Sequence, residues 1–188
     1  MTPKTISSRV DFLVEQDIKK MLSERLTNPV ANIVRDAFIV ACFTGLTYND
    51  LMTITRKNII YFTNNKCWLT VGMATNGKIR RIPLLDISQR IIEKYSSQWE
   101  SVLFPLPKQQ LFNWHLKCIC EKCAISKRIT SLSARKTFIV MAYSNNISLT
   151  EIADLLGYTS LKNIVAMLDI PQDKISKDIA DFRRKSLK

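Results

Sequence analysis

The stretch from residue 58 to residue 84 restricts the fold most, because there the hydrophobic period changes from that of a helix to that of a strand and then back. "NIIYFT", "KCWLTVGMA" and "IRRIPLL" are short runs rich in β-branched and aromatic residues, separated by "NNK" and "TNGK". Asn76-Gly77 is a strong hairpin signal, since the tight turn that matches strand twist needs a positive φ at both central positions. The spacing predicts a three-stranded antiparallel meander over residues 58–84. So small a sheet cannot make a core by itself, and helices must cover it.

The flanking sequence supplies those helices. Ile18, Met21, Leu22 and Leu26 recur at the three-and-four spacing of an amphipathic helix. "NPVANIVRDAFIVACFTG" is apolar nearly all round, which predicts a buried helix stopped by Gly45. Thr47 and Asp50 form an N-terminal capping pair, so the next helix starts at once. After the meander, "ISQRIIEKYSSQW", "KQQLFNWHLKCICEKCAI", "LSARKTFIVMAYSN", "LTEIADLL", "LKNIVAMLD" and "QDKISKDIADFRRK" all have helical periodicity. Ser148 with Glu151 makes another capping pair, and Pro171 stands where a first helical turn accepts proline. The expected class is mostly α with one small three-stranded antiparallel β-sheet. With 188 residues and no repeat or low-complexity linker, a single domain over 1–188 is expected.

Charge narrows the partner. There are 28 Lys and Arg against 16 Asp and Glu, a formal net charge of +12. That excess points to a polyanion, with nucleic acid first, against the alternative of a merely solvated basic surface. No apolar run approaches the roughly 18–20 residues of a membrane span, and the N-terminus lacks a basic segment followed by an apolar one, so the chain reads as cytoplasmic with no membrane partner. Five cysteines without a secretion signal do not suggest a disulfide framework.

Three local patterns carry possible chemistry. His115, Cys118, Cys120 and Cys123 have the composition of a zinc site, but on a helix Cys118 and Cys120 lie roughly 200° apart and cannot converge on one ion. No metal or cofactor is expected. "SLTEIADLLGYTSLKNIVAML" fits either a DNA-binding helix-turn-helix or a corner between core helices. Leu161, Ile164, Val165 and Leu168 favour the corner, because a recognition helix needs polar groups facing base edges. In "LSARKTF", Arg135 and Lys136 stand near a helix start, where a guanidinium fork and the helix terminus both suit a phosphate.

Taken in order, "AFIVACFTGLTYNDLMTI", a small sheet ending "NGKIRRIPL", "LSARKTF" and "EIADLLGYTSLKNIVAML" resemble the catalytic domain of tyrosine recombinases, the phage integrases of mobile elements. The resemblance runs from about Arg9 to the C-terminus. It implies a mostly helical fold that grips duplex DNA and breaks it without metal, through a tyrosine that joins covalently to the DNA phosphate. The separate N-terminal core-binding domain usual in that family is expected to be absent from this sequence, whether it is a natural short protein or a fragment, leaving a weaker and strongly salt-dependent grip.

By that resemblance the family's first arginine falls on Thr47, its hairpin lysine on Thr75, and the histidine before its second arginine on Leu132. The second arginine is present as Arg135, the histidine or tryptophan after "LLG" becomes Tyr158, and the nucleophilic tyrosine becomes Met167. A thioether has no ionisable proton, leucine donates nothing, and threonine lacks the arginine fork. The expectation is therefore a DNA-binding member of the family, tied to integration and recombination of a mobile element, that does not cleave DNA. Its expected phosphate contacts are Lys78, Arg80, Arg81, Arg135, Lys136 and Lys162. Its expected partners are double-stranded DNA and an active recombinase or a second copy, docked through Ile175, Ile179 and Phe182 of the C-terminal segment. Two alternatives stay open: a helix-turn-helix transcription regulator, and an active recombinase using Lys78 and Tyr158 as displaced residues.

Overall fold

The computed structural model describes residues 11–63, 66–72, 79–96 and 102–168. Helix α1 (Glu15–Ser23) buries Ile18 and Met21, and ends before Leu26, which packs on the core from the following loop. Helix α2 (Pro29–Thr44) is the central pillar. Asn28 accepts a hydrogen bond from the Ala31 N–H and Pro29 opens the first turn. Gly45, at φ 69°, ends the helix in the left-handed region, where a side chain would be strained. Val34, Phe38, Ile39 and Val40 are fully buried, and α4 (Asp86–Ser96), α5 (Gln109–Lys122) and α6 (Ser133–Ser144) pack around them.

The expected capping pair starts α3 (Tyr48–Thr53): the Thr47 N–H donates to Asp50 at 2.8 Å, and the Asp50 N–H donates to the Thr47 hydroxyl at 3.1 Å. The sheet follows as β1 (Ile59–Tyr61), β2 (Cys67–Gly72) and β3 (Ile79–Pro83), antiparallel and in chain order. Leu69 stands opposite both Ile59 and Ile82, and these three face the core. Thr75, Lys78 and the Asn76-Gly77 turn lie outside the described residues.

A second apolar cluster joins α6 to α7 (Leu149–Leu156) and α8 (Lys162–Leu168), centred on Ile139, Ile152, Leu156 and Ile164. Ser148 and Glu151 cap α7 as the sequence implies, and Gly157 turns the chain at φ 71°. Ile164 is fully buried, while Leu161, Val165 and Leu168 pack against the same cluster. That face of α8 is committed to the core, so the segment is a packed corner and the helix-turn-helix alternative loses its reading surface. Pro171, Ile175, Ile179 and Phe182 lie outside the described residues.

Helix α5 carries His115, Cys118 and Cys120, and Cys123 is its C-cap. Among the described residues, no group of three or more His, Cys, Asp and Glu side chains comes together to hold a metal. Burial lowers the His115 pKa and pushes the Cys120 thiol up to about 12, so both are neutral packing groups. No helix among the described residues is long and apolar enough to cross a membrane.

Candidate functional site

Of the six positions set against the family's active residues, five are described, and all five line one cavity of about 370 Å³: Thr47, Leu132, Arg135, Tyr158 and Met167. They arrive from the cap of α3, the start of α6, the turn after α7, and α8. The corner between α7 and α8 brings Tyr158 and Met167 to the cavity, with Gly157 turning the chain and Ile164 anchoring α8.

Arg135 is the most firmly held polar group there. Its Nε donates to the Gly45 carbonyl at 2.9 Å and its NH1 to the Tyr158 hydroxyl at 3.2 Å. Its NH2 lies 3.6 Å from the Asp50 carboxylate, and the guanidinium carbon sits 5.4 Å from the Tyr158 ring centroid. The Gly45 carbonyl belongs to the end of α2, where helical oxygens lack partners. A Cβ on Gly45 would run into the side chains of Leu156 and Phe138, so glycine both turns the chain and permits this approach.

Asp50 has a second role that the sequence reading missed. Its Oδ2 also pairs with Arg80 at 3.0 Å. Burial would raise its pKa, but the Thr47 N–H, the Arg80 charge and the Thr47 hydroxyl together hold the carboxyl below its ordinary value.

Arg80 departs from its expected place on a DNA-facing surface. On β3 alternate residues face opposite ways, and Arg80 shares the inward face with Ile82. It is 6% exposed, and its Nε and NH1 have no hydrogen-bond partner. Its alternation with Ile82 and Leu84 was the signal available in the sequence. Arg81 points outward and is exposed, as is Lys162 at the start of α8.

Lys136 lines the cavity beside Arg135 but is only 8% exposed. Its Nζ lies 5.5 Å over the Phe12 ring, which Lys127 approaches from 5.8 Å. Lys127 is neutralised by Asp17 at 2.6 Å.

Tyr48, Asn49, Gln109 and Ser131 are the other described lining residues and were not anticipated. The Tyr48 hydroxyl donates to the Pro107 carbonyl at 2.6 Å, and Gln109 donates to the Ser131 hydroxyl at 2.9 Å. Tyr48 and Asn49 follow Thr47 directly in the chain, whereas Gln109 and Ser131 are joined by a contact distant in sequence that no local pattern marks. The cavity is thus rich in donors and has no carboxylate among its described lining residues, and Met167 presents a thioether. Such a site can hold an anion.

The fold is that of tyrosine recombinase catalytic domains. The chain belongs to the phage integrase family, which matches residues 11–167. Among solved structures it is similar to the XerH site-specific recombinase bound to its palindromic difH substrate, with TM-score 0.73 and 13% identity over 93% of this chain and 54% of that one. It is also similar to the Tn1549 transposon integrase in complex with transposon right end DNA, with TM-score 0.69 and 15% identity over 97% and 68%. The catalytic domain of bacteriophage HP1 integrase matches with TM-score 0.64 and 16% identity, over 91% of this chain and 94% of that one. The chain therefore spans about half the length of the XerH recombinase and nearly all of the HP1 catalytic domain. No curated protein matches the sequence.

Proposed function

We propose that this chain is a mobile-element recombinase relative that binds duplex DNA and does not cleave it. The observation that carries the reading is the make-up of the cavity: Arg135 is held ready by three polar contacts, while Met167, Leu132 and Thr47 occupy walls where the chemistry would need a nucleophile, a proton donor and a second guanidinium. The DNA in the XerH and Tn1549 structures supports the choice of partner, as does the formal charge of +12. Arg135 and Lys136 grip a phosphate in the cavity, and Arg81, Lys162 and Lys78 add outer backbone contacts. Arg80 takes no part in that contact and instead balances Asp50. The C-terminal segment with Ile175, Ile179 and Phe182 is the proposed docking element for an active recombinase or a second copy.

One observation favours an active protein instead. The Tyr158 hydroxyl lies in the cavity within 3.2 Å of Arg135, so a phenol is present where phosphate would bind. Incubation with nicked suicide substrates followed by denaturing electrophoresis separates the two readings. The expected result is DNA binding with no covalent adduct; an adduct lost in Tyr158→Phe would establish the active one.

A further inference from the structure

We propose that the cavity around Arg135 takes a phosphomonoester, the terminal phosphate of a nucleic-acid strand or of a small molecule, in preference to the diester of an intact strand. This rests on the reading of the cavity as a phosphate-binding recombinase site and sharpens its ligand.

Charge is the first argument. The single negative charge of Asp50 is shared by Arg80 and Arg135, which leaves that triplet with one net positive charge. Lys136 adds a second, from a side chain 8% exposed that lines the cavity and lies over the Phe12 ring. A monoester carries about −1.5 to −2 charges near neutral pH, whereas a diester carries a single negative charge. The monoester therefore matches the surplus more closely.

Donor geometry is the second. Besides Arg135 and Lys136, Tyr158 and Ser131 line the cavity, and their hydroxyls each accept one hydrogen bond, from Arg135 and Gln109, with a proton of their own to donate. Four donor groups suit three terminal oxygens better than the two non-bridging oxygens of a diester. A volume of about 370 Å³ also leaves room for the sugar or other group carrying the phosphate, against Leu132 and Met167.

The test compares duplexes of one sequence that are intact or carry a nick with a 5′-phosphate, a 3′-phosphate or only hydroxyls, by fluorescence anisotropy at fixed ionic strength. One phosphorylated nick should bind about tenfold tighter than the hydroxyl nick, the size of one added charge-assisted hydrogen bond. The preference should vanish in Lys136→Gln and survive in Lys136→Arg. It should also vanish in Leu132→Glu, which places a carboxylate at a rim position 66% exposed and leaves the core untouched. Melting temperature with methyl phosphate or dimethyl phosphate tests the small-molecule source. Stabilisation by methyl phosphate alone, lost in Lys136→Gln, supports the proposal even if no DNA binds, and in that case the DNA-binding reading falls. DNA binding without any preference, and with no response to methyl phosphate, overturns the proposal while leaving DNA binding intact. A preference that persists in Lys136→Gln overturns it as well.

Discussion

Asp50 and Arg80 form a 3.0 Å ion pair withdrawn from solvent, on the inner face of β3. Removing the carboxylate leaves Arg80 buried with no counter-ion and with two nitrogens already unpartnered. Asp50→Ala is therefore expected to lower stability by about 3–5 kcal/mol, the range for breaking a buried pair from one side. Arg80→Met should cost less, since Asp50 keeps the Thr47 N–H and Arg135. Urea unfolding of both variants checks the order, and an Arg80→Met loss equal to or above that of Asp50→Ala would refute it.

The same carboxylate sets an acid dependence. The folded pKa of Asp50 lies below its ordinary value of 3.8, so its stabilisation is complete above that value and is lost as pH falls through the lower folded one. Thermal unfolding between pH 5 and pH 2, an interval taken from the ordinary carboxylate range, should show wild-type stability declining toward acid. Asp50→Asn, less stable at the start, should show a shallower decline. Parallel curves would mean that Asp50 does not contribute.

The fold was largely legible because its boundaries are written in local chemistry. Thr47 with Asp50, Ser148 with Glu151, Gly45 and the alternation around Leu69 each determine one element from a few neighbouring residues. The cavity was legible in part, through the resemblance, which named five residues that the chain does bring together. Arg80 was misplaced because charge was weighed ahead of the strand period, although Ile82 two residues on fixes the inward face. Gln109 and Ser131 could not be found at all. Their pairing at 2.9 Å depends on how the start of α5 meets the loop before α6, a relation that no local pattern encodes.

Gly45 couples the scaffold to the site. Gly45→Ala must hold a positive φ and push its Cβ against Leu156 and Phe138. Together these cost about 2–4 kcal/mol, from left-handed strain and overpacking. Because the Gly45 carbonyl also receives Arg135, DNA affinity should fall with stability, whereas Val30→Ala on the same helix, at an exposed position, should leave both nearly unchanged. Unfolding and DNA titration run in parallel provide the comparison.

Outer and inner cations should differ in salt response. Arg81→Gln and Lys162→Gln, both at exposed positions, are each expected to weaken duplex binding across sequences and to reduce the slope of log affinity against log salt by about 1. Arg80→Gln should leave the slope unchanged, since its guanidinium is buried on the inward face of β3. A reduced slope for Arg80→Gln, in a variant that remains folded, would place that residue back on the DNA.

Restoring the nucleophile alone should not restore cleavage. Met167→Tyr would put a phenol on α8 facing the cavity, yet attack on phosphorus also needs charge stabilisation and a proton for the leaving oxygen. Thr47 and Leu132 supply neither a guanidinium nor a titratable donor. Each missing donor costs about 100-fold to 1,000-fold in rate, and the losses need not add independently. The single variant is expected to give no adduct on a suicide substrate, and the triple variant Thr47→Arg, Leu132→His, Met167→Tyr should give a measurable one. The arginine also removes a helix-capping hydroxyl, costing about 1 kcal/mol, so folding of the triple variant must be checked by its melting curve. An adduct from Met167→Tyr alone would mean that Arg135 and Lys136 already activate the phosphate, and that the nucleophile is the only part of the chemistry the chain has lost.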